Sequence, residues 1–250
     1  MTKNILKTAL VVVSAGSLMT GCAFEQPEAG CFVQDSSNWY ATYDMVEEPK
    51  LADGTSCTDV PLIGERVGVF KFVDPDNTST PPKLTMRPDT LVALSTRDPG
   101  DSSAQTAMGT LGTEADDNDF CTATDFSVAT VDAGPTPAGA ARRTVSYAFS
   151  NVRVYSAPSA PGTQLTGDLT YTNNGCSSKY VVRAMWPAEP CIRGTTAPAT
   201  NCGEGSGLNP DFAAECAPID NCTTAAQRAA GYNGCCIPSK PIPSFVDAAE

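Results

Sequence analysis

Ten of the eleven cysteines, spread from residue 31 to residue 236, constrain the fold more than any other feature. An even number of cysteines in an exported protein predicts a set of disulfides. A metal site is the competing interpretation, but the chain has no histidine and no CxxC pair, so the spacing of structural zinc ligands is absent. We therefore expect five disulfides, no metal site and no cofactor, with a pairing that the sequence leaves open. The ten are Cys31, Cys57, Cys121, Cys176, Cys191, Cys202, Cys216, Cys222, Cys235 and Cys236.

Geometry disfavours two of the conceivable pairings. Adjacent Cα atoms, as in Cys235-Cys236, lie closer together than disulfide geometry prefers, so we expect two separate bridges there. A strand over residues 178–186 would hold its own two ends about 26 Å apart, so we expect no bond between Cys176 and Cys191, which lie on either side of it.

The N-terminal residues predict export. Lys3 and Lys7 precede an apolar stretch of thirteen residues, Thr8–Thr20, which is shorter than the ~20 residues of a membrane-spanning helix. A charged start, a brief apolar segment and small residues before a cleavage site are typical of a secretory signal.

The end of this segment, Leu18-Met19-Thr20-Gly21-Cys22, resembles the lipobox of bacterial lipoproteins. The resemblance implies that residues 1–21 are a signal peptide, that Cys22 carries the acyl chains, and that residues 22–30 form a tether. Ala23 stands where an Asp would favour the inner membrane, so the resemblance implies the outer membrane, on a face that stays open. An ordinary cleaved signal followed by a free cysteine is the alternative.

The charge balance limits the partners. The chain has 16 Lys and Arg against 28 Asp and Glu, a net charge of −12, and loss of Lys3 and Lys7 with the leader would leave −14. Such a balance argues against nucleic acid as a partner and against polybasic contact with anionic lipid. We expect the acyl chains to make the membrane contact, and the sequence names no envelope protein or glycan partner.

Residues 164–186 predict a β-hairpin. Asn174-Gly175 suits a two-residue turn with positive φ at both positions. With that turn, one register places all the apolar residues on one face, which is the agreement expected of a real hairpin. The apolar face pairs Asn173 with Cys176, Leu169 with Tyr180, Gly167 with Val182 and Leu165 with Ala184; the polar face pairs Thr166 with Arg183 and Thr170 with Lys179.

Other segments also read as strands. Glu65–Val73 carries Val67, Val69 and Val73 on one face and Phe70 and Phe72 on the other, which predicts a strand buried on both faces. TDFSVATV around Phe126 predicts a similar strand. In RTVSYAFSNVRVYS the apolar face changes parity near Ser150 and Asn151, as a β-bulge would produce.

The fold class follows from these elements: all-β, mainly antiparallel and sandwich-like, with a disulfide-rich, loop-dominated C-terminal region. We expect a β-rich domain over residues 31–186, and a Cys-, Pro- and Gly-rich region over 187–250 packed on it. Thr224, Gln227 and Gly231 predict one short helix with a capping box and a glycine stop.

Few residues suggest chemistry. The missing histidine removes Ser-His and Cys-His nucleophile arrangements, so we expect no catalytic residues, although paired carboxylates could serve a hydrolase. The acidic segments Asp74–Asn77 and Glu114–Asp119 could bind calcium but lack the EF-hand glycine and glutamate, so ordinary polar turns are favoured. Trp39, Tyr40 and Tyr43 could stack on sugars, but half-buried strand residues are the favoured interpretation.

The lipobox, NWYATY, GVFKFVDPDN, the hairpin running into MWPAEPC, and GSGLNPDFAAEC together resemble the MlpA-type lipoproteins of gliding predatory soil bacteria. The resemblance implies a cysteine-rich lipoprotein of the cell envelope and supplies no catalytic residues. We therefore expect a non-catalytic lipoprotein with a binding or structural role at the outer membrane. The alternatives are an extracytoplasmic hydrolase using paired carboxylates, a surface carbohydrate-binding module, and a protease inhibitor with a Pro- and Cys-rich loop.

Overall fold

The computed structural model describes residues 30–58, 61–77, 79–100, 102–219 and 221–247. The signal peptide, the lipobox with Cys22 and most of the tether therefore lie outside the described residues. No helix within these ranges is long and apolar enough to cross a membrane.

The described chain is mostly strand, with two short helices and two 3-10 turns. The strands are β1 (Ser36–Lys50), β2 (Gly64–Phe72), β3 (Lys83–Pro88), β4 (Ala107–Leu111), β5 (Phe120–Thr124), β6 (Ala129–Ala133), β7 (Arg143–Tyr155), β8 (Gln164–Asn173), β9 (Cys176–Met185), β10 (Pro190–Cys191), β11 (Ala214–Ala217) and β12 (Gly234–Pro238). The helices are α1 (Asp89–Ser95) and α2 (Ala225–Ala229), and the 3-10 turns are Ser102–Gln105 and Pro198–Thr200.

Strands β1 to β9 form one antiparallel sheet that closes on itself. Its order is β5-β4-β3-β2-β1-β9-β8-β7-β6, and β5 also pairs with β7. The first half of β7 binds β6 and its second half binds β5, so the two ends of the sheet meet along one strand. The predicted all-β, mainly antiparallel class is confirmed, and the two layers of a sandwich-like arrangement are opposite walls of this one sheet.

The β8–β9 hairpin has the predicted register throughout. Asn173 pairs with Cys176, and Leu165 pairs with Ala184. Asn174 and Gly175 form the turn with φ of 50° and 83°, the left-handed values that an Asn-Gly turn requires. The apolar face of this hairpin points into the core, where Leu165, Leu169 and Val182 are fully buried.

The predicted β-bulge lies in the middle of β7. Its register against β8 shifts between Ser150 and Arg153, and Asn151 takes a φ of 50°. Gly167 on β8 allows the close approach at this point, because a Cβ there would lie 3.1 Å from Val152 Cα and 3.2 Å from the Ser150 carbonyl. The bulge bends β7, and this strand then pairs with β6 before the bulge and with β5 after it.

Two strand predictions were wrong in part. β2 is buried on its inner face, but Phe70 and Phe72 on its outer face are 37% and 56% exposed, because no described segment covers that face there. Val73, predicted to share the inner face, lies beyond the end of β2 and is 57% exposed. The strand predicted around Phe126 is interrupted. Asp125 has a φ of 55°, so β5 ends before it and β6 begins after Val128.

The C-terminal region is a small three-stranded sheet, β10-β12-β11, bordered by loops and α2. Thr224 Oγ1 accepts a hydrogen bond from Gln227 N while Gln227 Oε1 accepts one from Thr224 N, which is the predicted capping box. Gly231, with a φ of 95°, follows the helix.

All ten cysteines of the described chain are disulfide-bonded. Cys176 and Cys191 are not bonded to each other, and Cys235 and Cys236 enter separate bridges, both as predicted. Cys31–Cys121 and Cys57–Cys176 belong to the closed sheet and its connections, whereas Cys191–Cys216, Cys202–Cys236 and Cys222–Cys235 lie within the C-terminal region.

Candidate functional site

The most buried charged group of the described chain is Glu65, at the start of β2. Its carboxylate accepts hydrogen bonds from Tyr147 Oη at 2.7 Å, from Tyr43 Oη at 3.2 Å and from Thr90 N at 2.7 Å. Thr90 lies in the first turn of α1, whose N-cap residue, Pro88, makes no side-chain cap. Glu65 therefore supplies, from a neighbouring strand, the acceptor that a helix N-terminus needs.

Burial dominates the ionisation of this cluster. Desolvation raises the pKa of Glu65, and its three hydrogen bonds oppose that rise. The pKa values of Tyr43 and Tyr147 are raised well above their ordinary value, first by desolvation and then by the nearby Glu65. The side chains of Glu65, Tyr43 and Tyr147 are hydrogen-bonded to one another inside the sheet, so we assign this cluster a structural role.

A second polar group joins the closed sheet to the C-terminal region. Arg66 donates to the carbonyl of Cys222 at 2.5 Å. Asn221 accepts from Tyr40 Oη at 2.6 Å and donates to the Gly64 carbonyl at 2.7 Å.

Two carboxyl groups lie near the Arg66 guanidinium, Asp89 and Glu189. Partial desolvation raises the pKa of each, and the positive charge of Arg66 opposes the rise. These interactions fix how the C-terminal region packs against β1 and β2.

A groove crosses the outer face of the sheet where β5, β7, β8 and β9 run side by side. The register aligns an outward row across these strands, in which Arg153 pairs with Thr122 and Thr166, and Thr166 pairs with Arg183. Two adjoining concavities of about 450 and 340 Å³ share Arg153, Thr166 and Val181. Together they form one groove of mixed polar and apolar lining, the second part being the more apolar, and we call it the row groove.

The floor of the row groove is built by the bulge. Asn151 Nδ2 donates to Asp168 Oδ2 at 2.6 Å, which places both polar groups at one end of the groove. Pro241 and Ile242, from the C-terminal region, line the other end together with Arg183 and Asp44. β-Bulges commonly re-aim side chains at binding sites, and the sheet here combines a bulge, a left-handed asparagine and a concave surface.

Arg183 and Arg153 differ in their hydrogen bonding. Arg183 makes a two-bond ion pair with Asp44 at 2.6 and 2.9 Å, and it also donates to the carbonyls of Pro238 and Lys240. The Arg153 guanidinium lies 4.6 Å from the centre of the Phe120 ring. Among the described residues no carboxylate oxygen lies within 4.0 Å of it.

The structure describes some of the residues that the sequence analysis named as candidates and not others. Cys22 lies outside the described residues, and its lipidation stays a prediction. Trp39, Tyr40 and Tyr43 are buried, at 0%, 0% and 5% exposure, so they are core residues of β1 and form no stacking platform. The favoured interpretation, half-buried strand residues, was right about the strand but understated the burial.

Both acidic segments form loops in which Asp side chains accept hydrogen bonds from nearby backbone N–H groups. Asp116 Oδ1 accepts from the backbone N–H groups of Asn118 and Phe120, and Asp74 Oδ1 accepts from Asp76 N. These backbone donors hold the pKa of Asp116 below its usual value. Within the described ranges the one metal-like cluster is Cys191, Cys202 and Cys216, and each of these sulfurs is already in a disulfide.

Sequence reasoning missed Glu65 and Arg153. Glu65 stands at the start of an apolar strand, where a charged residue is usually solvent-exposed. Its partners Tyr43 and Tyr147 lie 22 and 82 residues away, and no nearby residue indicates them. The row groove had a partial signal, because the predicted hairpin register already placed Thr166 opposite Arg183 on the polar face. The sequence could not show that Thr122 of β5 and Arg153 of β7 lie beside this face, because that depends on the β5–β7 pairing that closes the sheet.

Comparison with known proteins gives the family. A family model described as MlpA matches residues 37–187, from the second residue of β1 to just beyond β9. A relative from Myxococcus xanthus, named "Putative lipoprotein MlpA", is 50% identical over 246 residues, covering 98% of this chain and the whole of the relative. No solved structure matches. The resemblance expected from the sequence motifs is confirmed: this chain belongs to the MlpA family of lipoproteins.

Proposed function

We propose that this protein is a non-catalytic binding lipoprotein of the outer membrane, anchored through acyl chains on Cys22. The family supplies the coarse conclusion, a lipoprotein. The leader, the lipobox and Ala23 support the anchor and its membrane. The binding role is supported by the row groove, which is open to solvent and lies on a rigid sheet.

The observation that carries the non-catalytic part is where the perturbed carboxyl groups lie. A hydrolase working through carboxylates needs at least one with a raised pKa facing a cleft. Among the residues that the structure describes, the carboxyl groups whose pKa is raised are Glu65, Asp89 and Glu189. None of the three lines either part of the row groove, or the concavities beside Asp98 and beside Phe212.

Replacing Cys22 with Ser tests the anchor. A serine hydroxyl is too weak a nucleophile to take a diacylglyceryl group, and acyl chains supply membrane affinity of about 0.8 kcal/mol per buried CH₂. We expect Cys22→Ser to incorporate no labelled palmitate and to leave the outer-membrane fraction while keeping five disulfides. Mature, cleaved Cys22→Ser protein that still fractionates with the outer membrane would contradict the proposal.

A matched variant tests the membrane assignment separately. Ala23→Asp leaves the cysteine in place but supplies the residue that the lipobox resemblance links to retention in the inner membrane. We expect Ala23→Asp to incorporate palmitate as the natural protein does and to move to the inner-membrane fraction. An unchanged distribution would show that the outer-membrane part of the proposal lacks its basis.

A carbohydrate-binding role is the form of binding that a specific observation favours. The row groove is lined by hydroxyl, amide, carboxylate and guanidinium groups, and apolar atoms reach it from Val181, Pro241 and Ile242. Polar groups of this kind recognise sugar hydroxyls through directional hydrogen bonds. Substitutions that remove the polar side chains of the row groove should abolish carbohydrate binding. They should leave the membrane anchor at Cys22 unchanged.

A further inference from the structure

The row groove contains separate groups for an anion and for hydroxyl groups. Its cation is Arg153, whose guanidinium rests on the Phe120 ring and has no salt-bridge partner among the described residues. The other arginine in the groove, Arg183, is neutralised by Asp44. The pKa of Asp116 is lowered by its backbone donors and also by Arg153, but Asp116 makes no ion pair with this guanidinium. An anion entering the groove therefore meets one guanidinium that has no direct ionic contact with a described residue.

The contact with the Phe120 ring holds the Arg153 guanidinium in place for binding an anion. An arginine that rests on an aromatic face keeps its planar edge available for hydrogen bonds. The strand partners of Arg153 are Thr122 and Thr166, whose hydroxyl groups flank it. The Thr166 hydroxyl donates to the Val182 carbonyl at 3.0 Å, so its remaining capacity is that of an acceptor.

The second polar group is the Asp168 carboxylate at the bulge. Asn151 donates to one of its oxygens, which orients the carboxylate and leaves other acceptor sites for incoming hydroxyl groups. Asp168 is two residues from Thr166 on β8, a separation of about 7 Å along the strand. That distance is close to the width of one sugar ring.

We propose that the row groove binds a saccharide that carries a carboxylate or phosphate group, with the anion on Arg153 and ring hydroxyls on Asp168 and Asn151. A simple anion would gain nothing from Asp168, whose charge repels it. A neutral sugar would leave the Arg153 guanidinium without an ionic partner. This inference rests on the binding role proposed above and names its ligand class and residues.

The test is ligand-observed NMR with the purified, lipidated full chain in detergent micelles. The probes are digalacturonate, which supplies carboxylates, glucosamine 6-phosphate, which supplies a phosphate, and cellobiose, which is neutral. We expect one or both of the acidic probes to bind, and cellobiose to bind at least about tenfold more weakly. The choice between the two acidic probes identifies which anion the groove prefers.

Three variants locate the binding. Arg153→Gln removes the charge from an exposed side chain and should weaken the preferred probe by at least about tenfold, the factor expected for one charged hydrogen-bonded contact. Arg153→Lys keeps the charge but loses the planar guanidinium, so its affinity for the preferred probe should lie between those of the natural protein and Arg153→Gln. Arg142→Gln is the control, because Arg142 is also exposed but pairs with Asp132 away from the groove.

Asp168→Asn separates a saccharide from a bare anion. It should weaken the preferred saccharide and leave binding of inorganic phosphate unchanged or stronger. Equal loss with Arg142→Gln and Arg153→Gln, equal binding of cellobiose, or no binding of any probe would overturn the inference. The anchor is measured independently by Cys22→Ser, so the lipoprotein proposal can stand while the ligand proposal fails.

Discussion

The closed sheet and the C-terminal region bury apolar surface by different means. One cluster fills the sheet, and only two of its 29 buried members are cysteines. Two small clusters underlie the C-terminal region, and five of their 11 buried members are cysteines. The sheet has enough apolar surface to form a core, whereas the C-terminal region depends on covalent bonds and on its contact with β1 and β9.

This difference assigns the two regions different roles. A core of continuous strands makes a rigid base for the row groove, with Arg153, Thr166 and Arg183 fixed by register. The C-terminal region contributes Pro241 and Ile242 to one end of that groove. Since short chains with little core rely on disulfides, the C-terminal region should be the less stable of the two.

The largest effect should come from a cavity in the sheet. Leu165 is fully buried, and Leu165→Ala should lower the free energy of global unfolding by about 2–5 kcal/mol. The matched change Leu208→Ala lies in a small cluster with Met185 and three cysteines. It should raise local hydrogen exchange with little change in the global transition. Equal losses in denaturant titrations would show that the two regions unfold as one unit.

Removing the buried carboxylate should have the next largest effect. Glu65→Leu leaves Tyr43, Tyr147 and the Thr90 N–H without their acceptor, at a cost of about 2–3 kcal/mol. Glu215→Leu, at an exposed position of β11, is the control and should change stability by less than about 0.5 kcal/mol. A similar result for both variants in thermal unfolding would remove Glu65 from the account.

The pH dependence of Glu65 has a defined sign. Its pKa is raised in the folded state, so the folded protein holds more protons than the unfolded chain between the unfolded and folded pKa values. Wild-type stability relative to Glu65→Gln should therefore be greatest below the unfolded pKa, near 4.3, and should fall as pH rises through that window. A difference that grows with pH would contradict the assignment.

The smallest effect should come from the contact between the two regions. Asn221→Ala removes the hydrogen bonds to Tyr40 Oη and to the Gly64 carbonyl, and should cost about 1–2 kcal/mol. Asn209→Ala removes two exposed bonds, one donated to the Ser159 carbonyl and one accepted from Asp211 N, and should cost less than about 0.5 kcal/mol because both lie at the surface. Hydrogen exchange of β11 and β12 should rise with the first variant only.

Local sequence signals predicted the local structure well. The Asn174-Gly175 turn, the parity change at Ser150 and the capping box at Thr224 each specify geometry through neighbouring residues, and each was confirmed. The outer face of β2 was mispredicted because Phe70 and Phe72 have the composition of a buried face. Only the three-dimensional arrangement shows that nothing in the described chain covers them.

Long-range features were beyond the sequence. The β5–β7 pairing that closes the sheet depends on how far the bulge bends β7, and parity alone does not give that angle. The partner of Cys31 depends on the same sheet, since Cys31 is bonded to Cys121 in β5 across 90 residues. The Glu65 cluster and the row groove are products of these distant pairings, so no contiguous motif marks them.

Hydrogen exchange with and without reductant tests the central difference between the two regions most directly. Disulfides contribute about 2–4 kcal/mol each, and three of the five hold the C-terminal region. After reduction, peptides from residues 190–247 should exchange first, while those from β2, β8 and β9 remain protected. Loss of protection in β8 and β9 before, or together with, the C-terminal peptides would contradict this account.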